Sequence, residues 1–136
     1  RVRSSAASDV YKRQGVIKAD KMSKMVLPTA TAAEINYLAF GVHTVDYHIA
    51  LYGDFQLQTG NSTIAAADTE IESQREYVPA QHEKIDRYGH GYKTLPTYIR
   101  NKIDHPDSPR VYTEEEFERS ILLLRNICGR LRGITP

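Results

Sequence analysis

The chain has little cysteine, no tryptophan and no long apolar run. A lone cysteine, Cys128, excludes an internal disulfide framework and a multi-cysteine zinc site. Its neighbours Ile127 and Leu131 place it on a buried helix stripe, where a thiol is chemically quiet, and it is compatible with a cytoplasmic protein. No apolar run exceeds four residues, as in Ile121–Leu124. A bilayer-spanning helix needs ~20, which excludes a transmembrane protein for the chain as written. Wholesale disorder is not expected either, because hydrophobic residues make up 40% and charged residues 26% of the chain. The 136 residues correspond to one domain, since domains typically run ~100–150.

Residues 4–14, Ser-Ser-Ala-Ala-Ser-Asp-Val-Tyr-Lys-Arg-Gln, read as an in-frame translation of the transposase adapter used to prepare DNA sequencing libraries. Residues 1–14 are therefore set apart from fold reasoning as an artefact, with the native sequence expected from Gly15 or later and room for an upstream region. Residues 15–29, polar and with three lysines, read as a linker or the tail of that region, and 30–136 as the domain. The whole chain carries a formal charge of +1; without residues 1–14 it has 14 basic and 16 acidic residues, a charge of −2. No global basic field advertises nucleic-acid binding, so any contact with RNA must come from a local patch.

The periodicity is helical throughout. A first helix is expected from Thr31 to Tyr52, because Ile35, Leu38, Val42, Val45, Ile49 and Tyr52 recur at spacings of three and four. Gly53-Asp54 should end it, leaving Phe55–Asn61 as a loop. A second helix is expected over Ser62–Val78 with Ile64, Ala67, Ile71 and Val78 inward, and a further helical stretch over Ala80–Tyr88. Thr94 suits the N-cap of a third helix, Pro96 falls harmlessly in its first turn, and Pro106 should stop it at His105. The fourth helix opens on a capping box, Thr113-Glu114-Glu115-Glu116, and carries the stripe Phe117, Ile121, Leu124, Cys128 and Leu131. The expected fold is all-α, a bundle of four main helices.

The segment that points to chemistry is Tyr98-Ile99-Arg100-Asn101-Lys102-Ile103-Asp104-His105-Pro106. An Arg five residues before a His arises readily by chance, and an Asn directly after the Arg makes the pattern much rarer. Asn101 and His105 are four apart and share a helix face. Arg100 and His105 lie about 140° apart on an ideal helix and converge only if the helix stops at His105, as Pro106 favours. The negative end of the helix, together with Asp104 and Asp107, favours a protonated imidazole, and histidine is the side chain best suited to move protons near neutrality.

On these residues the sequence resembles the HEPN superfamily, helical bundles carrying Arg, four residues, then His, often with Asn after the Arg. The resemblance implies a HEPN-like bundle and a metal-independent endoribonuclease acting as a homodimer, with both motifs in one cleft. It assigns catalysis to Arg100, Asn101 and His105, with no cofactor or metal. The biological setting it implies is that of a toxin or anti-phage effector, with an antitoxin or an ATPase as partner and no membrane. Lys93, Lys102 and Arg110 flank the motif and are candidates for holding RNA backbone. Other members bind nucleic acid or partners without cleaving, and that is the alternative for this chain. Glu34-Ile35-Asn36-Tyr37 and Tyr98-Ile99-Arg100-Asn101 also look like segments at the C-terminal ends of ATPase-linked defence proteins.

The remaining candidates have simpler readings. His43 and His48, five apart, are poorly spaced for a shared metal. His82 and His90 have no ligand spacing. Gly89-His90-Gly91-Tyr92-Lys93 lacks the full phosphate-loop pattern and reads as a turn. The nine tyrosines include candidates for base stacking, although most read as core-edge residues.

Overall fold

Threonine starts most of the helices. Thr31, Thr44, Thr63 and Thr113 each stand in extended geometry before a helix, and each side chain accepts an N–H from the first turn, satisfying one of the four donors a helix start leaves open. The computed structural model describes residues 24–83, 91–105 and 112–134. Among them are six helices and no strand: α1 (Ala32–Phe40), α2 (Val45–Thr59), α3 (Ile64–Ser73), α4 (Pro79–His82), α5 (Leu95–Asp104) and α6 (Glu114–Leu131). The protein is an all-α helical bundle. The adapter-like residues 1–14 lie outside the described residues. Val26 and Leu27, placed in the linker by sequence, belong to the core.

The expected first helix is two helices. Gly41 adopts the left-handed conformation, with φ 69°, and its N–H returns to the Tyr37 carbonyl, closing α1; Thr44 then caps α2. Only a residue tolerant of positive φ ends a helix this way, and glycine does so without a Cβ clash. The apolar stripe that suggested continuity is largely solvent-facing: Val42 is 44% and Ile49 47% exposed. The face that α2 buries is Tyr47, His48, Leu51, Tyr52 and Phe55. Nor does Gly53 end the helix. Burial of Tyr52 and Phe55 on either side outweighs the ~0.5–1 kcal/mol cost of a helical glycine, and α2 runs to Thr59 with Gly60, φ 74°, as its left-handed cap.

α3 stops at Ser73, short of the expected Val78, and Val78 is exposed. Pro79 disfavours helical geometry at Val78, which is extended, and the chain turns so that Tyr77 packs into the core. Of the stretch expected over Ala80–Tyr88, α4 covers Pro79–His82, and 84–88 lie outside the described residues. α5 and α6 match the sequence reading, including the complete capping box, although Leu131 is partly exposed. α2 packs most extensively on α6, with α5 against both. Phe117, Ile121, Leu124, Ile127 and Cys128 of α6 meet Leu51 and Phe55 of α2 and Leu95 and Ile99 of α5 in one core. Each such side chain contributes about 1.5–3 kcal/mol. Burial raises the Cys128 thiol well above its ordinary range, and the group faces the Leu51 carbonyl at 3.5 Å. No helix among the described residues is long and apolar enough to cross a membrane.

A charged centre lies inside this bundle. Glu34 is 0% exposed and Arg125 3%. Glu34 accepts the N–H groups of Val26 and Leu27 at 3.0 and 3.3 Å, the Tyr47 hydroxyl at 2.8 Å and Arg125 Nη1 at 3.3 Å. Arg125 also donates to Tyr47 Oη at 2.8 Å and to the Lys24 carbonyl at 3.1 Å, and stands over the Tyr37 ring at 4.8 Å. A buried charge pair holds only when its remaining donors and acceptors are satisfied, as they are here. This network ties the 24–27 segment, α1, α2 and α6 together.

Candidate functional site

The start of α5 is held from outside. Thr94 occupies its N-cap position in extended geometry, as expected, but makes no capping hydrogen bond of its own. Its N–H and hydroxyl donate instead to Asp68 Oδ1 of α3, at 3.0 and 2.6 Å, and the Lys93 N–H donates to Asp68 Oδ2 at 2.6 Å. The Lys93 carbonyl accepts the Tyr77 hydroxyl at 2.9 Å. Tyr52 of α2 shares a hydrogen bond of 2.9 Å with Thr97. Asp68 is 5% exposed and positions α5 against α3.

Between these two helices lies an open groove of about 540 Å³. Ile64, Ala65, Asp68 and Thr69 of α3 form one side, Gly91–Lys93 the end, and Arg100, Asn101 and His105 the other side. The three motif residues and Lys93 therefore share one surface. α5 ends at Asp104 with His105 as its C-cap, φ −120° and ψ 74°, and the His105 N–H bonds the Asn101 carbonyl at 3.1 Å. This departure from the helix lets His105 line the groove beside Arg100. His105 is exposed, and Arg100 and Asn101 are half-buried.

Arg100 already has partners. Its Nη1 lies 2.6 Å from Asp104 Oδ2, one helical turn on, and its guanidinium stands 5.6 Å from the centre of the Tyr52 ring. The ion pair is substantially solvent-exposed and therefore weak. Asp104 is thus paired with Arg100, and Asp107 lies outside the described residues. Lys102 does not line the groove; its ammonium sits over the Tyr98 ring at 5.3 Å. Arg110, expected to hold RNA backbone, and His90 lie outside the described residues. A second depression, about 340 Å³ beside Gln56, Leu57 and Asn61, has no ionisable side chain among the described residues that line it.

The other histidines are engaged separately. His43 packs edge-on to Tyr37 and lies 3.9 Å from Glu118. His82 accepts the Val78 N–H on Nδ1 at 3.0 Å. Among the described residues no group of three His, Cys, Asp or Glu side chains is placed to hold a metal ion. His48 is fully buried, stacked on Phe117 with 5.7 Å between ring centres, with Nε2 2.7 Å from Ser120 Oγ and Nδ1 unpartnered.

Burial, with the Arg100 charge as a smaller cause, lowers the His48 pKa from 6.5 to about 3. The unfolded chain therefore binds a proton that the folded chain refuses, and stability is full above pH 6.5 and falls as pH drops below it. Between pH 7 and pH 5 the expected loss from this group is about 2 kcal/mol. Urea unfolding at both pH values, wild type against His48→Gln, measures it. Identical pH dependence in the two proteins would remove His48 as the cause.

The sequence did not single out Asp68, Glu34 or Arg125 as positioning groups. Asp68 sits on the face of α3 next to the inward Ala67, and no local pattern separates such an aspartate from a solvated one. Comparison with protein-family models, with curated proteins and with solved structures finds no match.

Proposed function

We propose that the groove between α3 and α5 binds RNA and cleaves it as a HEPN-type, metal-independent endoribonuclease, with the 2′-hydroxyl as nucleophile. The observation supporting this reading is the convergence of Arg100, Asn101, His105 and Lys93 on one open surface. In the proposed step a base takes the proton of the 2′-hydroxyl, the 2′-oxygen attacks phosphorus, the bond to the 5′-oxygen breaks, and an acid protonates that oxygen. The products are a 2′,3′-cyclic phosphate and a 5′-hydroxyl. Arg100 clamps the non-bridging oxygens with its planar fork, and Lys93 adds charge along the backbone. Asn101 orients the phosphate. His105 serves as base or acid. As the family resemblance implies, the complementary proton carrier is the His105 of a second copy, and the active form is a homodimer.

One observation favours the alternative, a non-catalytic HEPN-like module that binds nucleic acid or dimerises and is attached to an ATPase: Arg100 is already paired with Asp104 and stacked near Tyr52. A role as toxin or anti-phage effector, and an antitoxin or ATPase as partner, rest on the family resemblance alone.

Fluorescence anisotropy with an RNA oligonucleotide blocked against cleavage by 2′-O-methylation tests the shared premise. Arg100→Ala is expected to weaken binding about tenfold, the worth of a charge-assisted contact. Asp104→Asn, which frees the guanidinium from its internal carboxylate, is expected to tighten it. Unchanged affinity in Arg100→Ala would show that RNA does not use this groove.

A further inference from the structure

The two sides of the groove differ in chemistry. The α5 side carries Arg100, Asn101 and His105, whereas the α3 side sets the apolar Ile64 and Ala65 beside Thr69 and the buried Asp68, and Tyr92 lies at the end. Tyr92 is half-buried and packs against the core cluster while lining the groove. The chain beside it is pinned. The next residue, Lys93, has its N–H held by Asp68 and its carbonyl held by Tyr77, and Thr94 makes two further bonds to Asp68. An aromatic ring carried by an anchored backbone loses little freedom when a ligand stacks on it.

A strand of RNA alternates charged phosphates with flat, largely apolar bases. A groove that binds a phosphate on one side must therefore accommodate a base close by. We infer that Tyr92, flanked by Ile64 and Ala65, is a shelf for the nucleobase adjoining the phosphate held by Arg100. This rests on the reading of the groove as an RNA site. The volume of about 540 Å³ falls within the range typical of small-ligand sites and accommodates a nucleotide. Every base offers a π-face, so the shelf holds purines and pyrimidines alike and contributes affinity with little sequence preference. It also sets register, since a stacked base fixes which phosphate reaches Arg100 and His105.

The experiment uses the same 2′-O-methylated oligonucleotide and a set of copies in which one base at a time is removed to leave an abasic position. Tyr92→Leu keeps apolar packing and removes the flat ring; Tyr92→Phe keeps the ring. Tyr92→Leu is expected to weaken binding about tenfold and Tyr92→Phe hardly at all. Wild-type affinity is expected to fall at one abasic position, and at that position wild type and Tyr92→Leu should bind equally. A Tyr92→Leu protein that binds the intact oligonucleotide as wild type does, or whose deficit is the same for every abasic copy, overturns the shelf. Arg100→Ala separates the two levels. If it loses affinity while Tyr92→Leu does not, only the shelf fails; if it binds like wild type, or if wild type binds no RNA, the groove reading fails with it.

Discussion

Arg125→Met is expected to lower the unfolding free energy by about 3–5 kcal/mol, the cost of leaving a buried charge without its counterion. The carboxylate left behind is that of Glu34, which is fully buried and would keep only the Val26 and Leu27 N–H groups and the Tyr47 hydroxyl as partners. A domain of this size has a total stability of about 5–15 kcal/mol, so the single variant loses a large share of it. Coupling gives the sharper readout. Glu34→Gln in the Arg125→Met background removes the orphaned charge and is expected to recover part of the loss, so that the double variant is more stable than the two single losses predict. Urea titrations of the four proteins measure this. Strict additivity would mean that the two groups do not act as a pair.

The second large effect concerns chemistry. His105→Ala is expected to reduce RNA cleavage about 100–10,000-fold, the usual worth of a positioned proton carrier. The side chain is exposed at the C-cap of α5, outside the core, so its removal should leave the melting temperature nearly unchanged. Assays in EDTA keep metal-dependent contaminants silent. Full cleavage by His105→Ala would take the imidazole out of the mechanism. Cleavage by wild type that EDTA abolishes would point instead to a metal-dependent site.

How much of this was legible in the sequence follows the reach of the signals. α6 could be read in full because its capping box and apolar stripe are local. α5 could be bounded because Pro96 and Pro106 act on neighbouring residues. The convergence of Arg100, Asn101 and His105 could be anticipated from a proline-terminated helix. The break at Gly41 was hidden because the spacing of threes and fours ran on through Val42, Val45 and Ile49, which face solvent. Periodicity reports a stripe, and only packing decides which stripe is buried. Gly53 misled in the other direction, since a local helix cost was overridden by the burial of Tyr52 and Phe55. The least legible groups were Asp68, which reaches α5 from another helix, and the Glu34–Arg125 pair, separated by 91 residues. A charged residue that will be buried by a distant partner looks, in sequence, like any surface charge.

The central claim, that an imidazole at the end of α5 cleaves RNA through the strand's own 2′-hydroxyl, is tested most directly by the ends of the fragments. RNA cut by the wild-type chain in EDTA is predicted to carry 2′,3′-cyclic phosphate and 5′-hydroxyl termini, and a single 2′-deoxy substitution at the cut position should block that cut. Fragments ending in 3′-hydroxyl and 5′-phosphate groups, or cleavage that survives the deoxy substitution, would contradict it.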